Sequence, residues 1–292
     1  MGYQRFMGQE KRARYCLLFG GVLWGLYWIP LKQVEAAGLA GAAPSALVFG
    51  AGFVMILPLV IWRWRSILER KGDLAIAGLL AGTSIGLFTA ALTQTEIVRA
   101  ILLFYLTPVW STALGMVVLG HKPTVARFGT LALGLVGLCV VLGLEGGLPW
   151  PRNIGDVMAL IAGVSWSLVS LKLYRMPSVP VPDLIVAFVT GCAFFTGSLF
   201  VLSGTSIGQD AFAAAPWIVF TALYIVPTLA MTLWPATLLT PARAGLLLMT
   251  EVVAGVISAA LLSGEPFGAQ EAIGALLIAA ALLSEVITPE KD

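Results

Sequence analysis

Apolar stretches of membrane-crossing length decide most of what this chain can become. Residues 102–120 carry no charge at all, and residues 244–263 are interrupted only by Glu251. A helix rises about 1.5 Å per residue, so roughly 20 such residues cross a hydrocarbon core of about 30 Å. In lipid every backbone N–H and C=O must find its partner inside the protein, which leaves helices or closed barrels. These runs are about twice as long as a barrel strand, so the sequence predicts an all-α integral membrane protein. Charged residues make up only 11% of the 292, where a soluble domain carries about a quarter. Ten transmembrane helices are predicted, at roughly 15–33, 43–63, 73–95, 99–120, 125–144, 155–174, 184–204, 215–238, 243–263 and 268–287. The connections are too short for an extramembrane domain. The start of the chain is polar and basic, and Ala40-Gly41-Ala42 imitates a cleavage site. The apolar run 15–31 nevertheless exceeds a signal-peptide core of about 7–15 residues, so it is expected to stay as the first span.

The basic residues set the expected orientation. With a cytoplasmic N-terminus, fourteen of the seventeen lysines and arginines fall on the inner side, and only Lys32, Arg99 and Arg152 on the outer side. The opposite topology would invert that bias, so both termini are expected in the cytoplasm, consistent with an even number of spans. Arg99, Lys32 and Glu96 are expected to snorkel to the outer headgroups. The net charge of +2 comes from short loops and gives no reason to expect nucleic acid. Cys16, Cys139 and Cys192 all lie in apolar runs and are expected to be small hydrophobes, not a disulfide or metal set. A single histidine, His121, argues against His-rich metal sites, and no cofactor is expected.

The chain repeats itself. Residues 99–123 and 243–266 align with Arg99 on Arg243, Ala100 on Ala244, Thr107 on Glu251 and Gly120 on Gly264, an offset of 144. Gly21 and Trp24 align with Gly163 and Trp166, an offset of 142. Spans 1–5 therefore match spans 6–10, and the halves 1–147 and 148–292 are expected to be two five-helix repeats within one membrane domain. Because five is odd, the copies enter from opposite faces, an inverted repeat of the kind many secondary transporters build around a midplane site.

The order Gly21-x-x-Trp24-Gly25, then Thr107-Pro108, then Gly264-Glu265 closing the ninth span resembles the drug/metabolite transporter superfamily in its ten-helix EamA-type branch. The resemblance covers essentially the whole chain. Within that branch the Trp-rich spans are most like aromatic amino acid exporters of bacterial inner membranes. The family pattern closes both the fourth and ninth spans with Gly-Glu, whereas this sequence has Gly120-His121 in the fourth. The resemblance implies that spans 1–4 and 6–9 surround a central cavity, that spans 5 and 10 pack outside, and that the two halves rock to alternate access. It also implies a bacterial inner-membrane location.

Candidate binding residues come from polar and aromatic groups at membrane depth. Trp24, Trp28, Trp110, Trp166 and Trp234 lie well inside spans, whereas Trp62, Trp64, Trp150 and Trp217 sit at span ends, where interfacial anchoring explains them. The inner five are either packing or cavity wall. An indole combines an apolar body with an N–H that wants a partner, which suits a cavity for aromatic or aliphatic side chains. Trp24 and Trp28 are four apart and share a helix face with Gly21 and Gly25; Trp24 and Trp166, as repeat mates, are expected to face each other. Gln94, Tyr105, Ser170 and Tyr224 are further candidates, drawn from a wider set of serines and threonines that more often bond their own helix. Gly78, Gly82 and Gly86 form a small-residue stripe read as close helix packing. Pro30, Pro227 and Pro235 are candidate hinges. Glu251 is the one acid placed deep in a span, where a charge costs about 2.5–3.5 kcal/mol. It is read as either a coupling group or a partner for a substrate ammonium, against a purely structural acid.

These features favour a secondary transporter exporting neutral, chiefly aromatic amino acids, working as a monomer in the bilayer. Export of other small metabolites or drugs is the alternative. An intramembrane enzyme would need paired carboxylates, a metal set or a nucleophile with its base, none of which the sequence supplies. A channel would be expected to carry charged rings. Sugar phosphates are disfavoured because no Arg or Lys pair lies deep in the spans.

Overall fold

The computed structural model describes residues 2–39, 41–121, 124–143, 150–176, 179–204, 211–262 and 267–287. The Gly264-Glu265 pair and the side chain of Thr93 lie outside the described residues. Thirteen α-helices and no strand occur among the described residues: α1 (Gly2–Leu26), α2 (Trp28–Ala36), α3 (Ala43–Glu69), α4 (Lys71–Gln94), α5 (Ile97–Phe104), α6 (Thr107–Leu119), α7 (Val125–Leu142), α8 (Ile154–Tyr174), α9 (Val181–Ser203), α10 (Ala211–Ala236), α11 (Pro241–Leu248), α12 (Thr250–Leu262) and α13 (Ala269–Ile287). They make ten segments long and apolar enough to cross a membrane, counted among the described residues. Three spans are broken helices: α1/α2, α5/α6 and α11/α12.

Each break has a local cause. At Tyr27 the N–H bonds to the Trp24 carbonyl, a tightened turn, and Pro30 follows without an N–H to give. Between α5 and α6, Pro108 cannot bond the Phe104 carbonyl. The Thr107 hydroxyl takes that carbonyl instead at 2.6 Å. Between α11 and α12 the Thr250 hydroxyl bonds the Leu247 carbonyl at 2.5 Å, again three residues back. The first break holds two turn residues, Tyr105 and Leu106, and the second only Met249. Matched helix to helix, the offset is therefore 144 before the break and 143 after it. This corrects the alignment read from sequence: Thr107 matches Thr250, and Glu251 falls opposite Pro108. Of the other expected hinges, Pro227 and Pro235 lie within the unbroken α10. The first helix also starts well before residue 15, at Gly2.

Eight spans pack in a closed ring, in the order α1/α2, α10, α3, α9, α4, α8, α5/α6, α11/α12 and back to α1. Helices from the first and second halves of the chain alternate all the way round. The paired α7 and α13 stand outside, against α5 and α11/α12. The halves are thus interleaved, not two lobes side by side. Rocking one sequence half against the other would shear every contact in the ring, so any rigid body that moves must mix helices of both halves.

Glycines set the closest approaches. A Cβ on Gly82 would run into the Gly191 carbonyl of α9, and one on Gly78 would stand 2.5 Å from the Ala187 carbonyl, so the stripe on α4 is a packing seam. In the outer pair, a Cβ on Gly137 of α7 would stand 2.9 Å from the Gly274 carbonyl of α13. Gly120 ends α6 at φ 70°, a left-handed conformation that favours glycine, and lets the His121 N–H reach back to the Gly115 carbonyl at 3.2 Å. His121 therefore closes a helix at an exposed end of the molecule, where the pattern it resembles has an acid.

Both ends of the ring carry ion pairs. Alternation of the spans brings Arg14, Arg63, Lys172, Arg127 and Arg243 to one end, called here the basic end. There Arg243, 1% exposed, donates from Nε to Glu285 at 2.7 Å and from Nη1 to Glu10 at 2.8 Å. Arg127 shares Glu285 at 2.8 Å, and Arg14 binds Glu10 and the Val286 carbonyl. At the opposite end Arg99 does not snorkel. It is 6% exposed, paired with the fully buried Asp156, which also accepts from Thr95 at 2.6 Å. Asn153 caps α8 by accepting from the Asp156 N–H, so the acid is fixed at the first turn of that helix, where negative charge is favoured.

Candidate functional site

The two broken spans α5/α6 and α11/α12 are neighbours in the ring, and their breaks bring Tyr105 and Glu251 together. Tyr105, 8% exposed, sits in the first break, and Glu251 occupies the first turn of α12. The Tyr105 hydroxyl lies beside the Glu251 side chain. A carboxylate at that depth needs such a donor, because an unpaired charge in apolar surroundings is strongly disfavoured.

Glycines of α1 and α8 let these helices lie against the breaks. A Cβ on Gly21 would sit 3.0 Å from Thr250 Cβ and 3.3 Å from the Leu248 carbonyl oxygen. On Gly163 it would sit 3.3 Å from Thr107 Oγ1 and 2.6 Å from the Phe104 carbonyl oxygen. The two glycines are 142 apart, and the carbonyls they meet are 144 apart. A Cβ on Gly25 would strike the Glu251 carbonyl itself. Ser167 of α8 donates to the Thr107 carbonyl at 3.0 Å, tying α8 to the start of α6.

The candidate tryptophans divide by partner. Trp24 donates to Thr232 Oγ1 of α10 at 3.0 Å and stands edge-on to Tyr27, with centroids 5.6 Å apart. Trp28 donates to Ser258 Oγ of α12 at 3.0 Å, and Lys32 lies 5.5 Å from its ring centroid. The helix break at Tyr27 lies between them, so their N–H groups reach different neighbours and the single shared face expected from four-residue spacing is not formed. Trp166 meets Phe188 of α9 edge-on at 5.8 Å. Trp24 and Trp166 are thus held by different spans, α10 and α9, not by each other. Trp234 is half-buried and packs on the core. Trp110 Nε1 and the Oγ of Ser111, itself 0% exposed, are buried with no hydrogen-bond partner among the described residues.

Tyr224 donates to the Leu23 carbonyl at 2.6 Å, tying α10 to α1 beside Trp24. Ser170 bonds the Trp166 carbonyl of its own helix at 2.9 Å, the ordinary fate of a hydroxyl in a membrane helix. Gln94 stands apart from the Tyr105–Glu251 pair, exposed at the end opposite the basic end. There it lines a cavity of about 330 Å³ with Ser45, Thr89, Thr196, Leu199 and Ser203. Tyr27 and Ser258 were not among the candidates from the sequence, and Thr232 stood only in the wider set of span hydroxyls; together they orient the indoles. Asp156 and Asp183, no candidates from the sequence, are both fully buried. Their position in the first turn of an apolar helix was the available signal.

Known proteins resemble this chain in sequence and in shape. Residues 12–143 match the EamA-like transporter family. Over 172 residues, 56% of the chain, it is 24% identical to an uncharacterized transporter of Pseudomonas aeruginosa, of which 55% is covered. Over 217 residues, 71% of the chain, it is 25% identical to the protein RarD of Streptomyces exfoliatus, of which 66% is covered. The chain thus spans between about half and two thirds of the curated relatives it matches. A solved crystal structure of a protein 20% identical superposes with a TM-score of 0.74, over 94% of this chain and 97% of the other, and shares its fold. The first half of this multi-pass membrane protein therefore carries the sequence pattern of EamA-like small-molecule transporters.

Proposed function

We propose that this chain, an EamA-like transporter, exports neutral and chiefly aromatic amino acids across a bacterial inner membrane by alternating access, with both termini in the cytoplasm. The observation that carries this reading is the Tyr105–Glu251 pair between two broken spans of the ring. A zwitterion brings an ammonium that a carboxylate can accept, and a carboxylate that suits the N-terminal ends of α6 and α12. Glu251 takes the ammonium, with Tyr105 holding the carboxylate oriented until substrate arrives. Trp24, Trp28, Trp110 and Trp166 supply flat apolar surface for the side chain, and Gln94, Tyr224, Ser170 and Trp234 complete the proposed path. The unpartnered N–H of Trp110 is available to a ligand acceptor. Two inverted five-helix copies, 1–147 and 148–292, underlie this mechanism, and the matched glycine–carbonyl contacts of Gly21 and Gly163 support them.

The test is uptake of labelled amino acids into proteoliposomes, with and without a pH gradient. Saturable flux of phenylalanine, tyrosine or tryptophan is expected, inhibited by other neutral amino acids. Absence of saturable flux for every neutral amino acid, in protein that superposes its helix content and elutes as one species, removes the substrate assignment.

A further inference from the structure

The cavity at the Gln94 end and the ion pairs at the basic end involve the same helices. Ser45 lies in the first turn of α3, Thr89 and Gln94 in the last turns of α4, and Thr196, Leu199 and Ser203 in the last turns of α9. At their other ends these helices are tied. Arg63 of α3 grips Asp183 of α9 with both nitrogens, Nε to Oδ1 at 2.7 Å and Nη2 to Oδ2 at 3.1 Å. Ser66 adds a donor to the same carboxylate at 2.6 Å, and Arg70 donates to Ser66 at 3.2 Å. Asp183 is 0% exposed, so its charge depends on these donors. On the neighbouring contact, Lys172 of α8 pairs with Asp73 of α4. One arc of the ring, α3–α9–α4–α8, is therefore pinned at the basic end; at the other end α4 and α8 stay tied through Thr95 and Asp156, while α3, α9 and α4 surround an uncharged cavity lined by hydroxyls and apolar side chains.

The pins have no counterparts in the repeat. Offsets of 142–144 carry Asp183 to 39–41, Leu-Ala-Gly, and Lys172 to 28–30, Trp-Ile-Pro. They carry Arg63 to 205–207, Thr-Ser-Ile, and Asp73 to 215–217, Ala-Pro-Trp, so no charge stands at any matching position. An inverted repeat of equal halves would hold its two access states at equal energy, since each state is the other turned over. Pins that the other copy does not match break that equality.

We infer that the Arg63–Asp183–Ser66 and Lys172–Asp73 ties are a one-sided gate: they close the basic end of the arc, and the cavity between α3, α4 and α9 is the open mouth of the same state. Loosening the ties moves the population toward the state open at the basic end, in which the cavity closes. This inference rests on the ring being a transport path. It is tested without substrate, so a wrong substrate class leaves it standing.

The experiment uses full-length protein in proteoliposomes, with Cys16, Cys139 and Cys192 replaced by Ser and one reporter added. Leu199→Cys reports the cavity. Ala77→Cys, buried on α4 one turn in from Asp73, reports the basic end. Reaction with a membrane-impermeant maleimide is followed on both sides. In the otherwise intact protein Leu199→Cys reacts and Ala77→Cys does not. Adding Asp183→Asn with Lys172→Gln slows the Leu199→Cys reaction by about fivefold or more and speeds Ala77→Cys by a similar factor, as one equilibrium shift requires. The exchange Arg63→Asp with Asp183→Arg restores the parent pattern. Unchanged rates at both reporters in folded protein overturn the gate. So does a rise at both together, which means general loosening, or an unreactive Leu199→Cys in the parent, which means the mouth is shut. If Asp183→Asn fails to fold, Lys172→Gln alone, altering a part-exposed pair, is read by the same two reporters.

Discussion

At the scale of single residues, Glu251 and Arg243 carry opposite kinds of burden. Glu251 has the Tyr105 hydroxyl beside it and keeps acceptor capacity for a ligand. Glu251→Gln keeps the size and removes the charge. It is expected to lower amino acid flux at least tenfold while leaving the melting temperature within a few degrees. Tyr105→Phe is expected to raise KM more than it lowers kcat, because it loosens the orientation of the carboxylate without removing it. Equal kinetics of Glu251→Gln and parent at every pH would leave the acid a structural role only. Arg243 is saturated with acids and has a different fate. Arg243→Ala leaves Glu285 and Glu10 short of a donor in a buried setting and is expected to cost about 3–5 kcal/mol, read as a lowered thermal unfolding midpoint in detergent. Glu251 could be found from sequence because a lone acid in an apolar run has a plain energetic signature. Arg243, Asp156 and Asp183 could not, since a charge at the edge of a span looks the same whether it meets water or a partner on another helix.

At the scale of elements, the breaks matter more than the helices they interrupt. Thr107-Pro108 announces the first break, because proline removes a donor and threonine can take the carbonyl left over. The second break has no proline at all. Thr250 makes the same bond to the carbonyl three residues back, and Met249 alone forms the turn. Nothing local marks that site, which is why a strict offset of 144 misaligned Glu251. The glycine stripes were legible, since small residues four apart in an apolar helix have few other uses. What they pack against was not. The seam between α7 and α13 gives a clean test because that pair lies outside the ring. Gly137→Leu is expected to lower the melting temperature by several degrees, with KM for transport unchanged. Gly25→Leu, which would strike the Glu251 carbonyl, is expected to lose transport as well as stability. If Gly137→Leu shifted KM instead, the outer pair would belong to the path.

At the scale of the whole molecule, alternation of the two halves around the ring could not be read from the order of spans. Hydropathy gives ten segments, and charge bias gives their expected direction, but neither says which helix stands beside which. That order depends on the glycine contacts and ion pairs described above, several of which join residues more than a hundred positions apart. The Glu10–Arg243–Glu285 cluster is the longest-range of them, and with Arg14 on the Val286 carbonyl it joins the first helix to the last. It bears on how the protein is made. While the segment carrying Glu285 and Val286 is still unmade, Arg14 has Glu10 as its partner but lacks the Val286 carbonyl, and Arg243 lacks Glu285. A nascent chain cut short before residue 285 is expected to be inserted yet cleared by membrane proteases, with pulse-chase lifetimes well below those of the full protein, whereas a stop after 287 should be tolerated. The grip on the first helix is thereby completed only once residues 285 and 286 have been made.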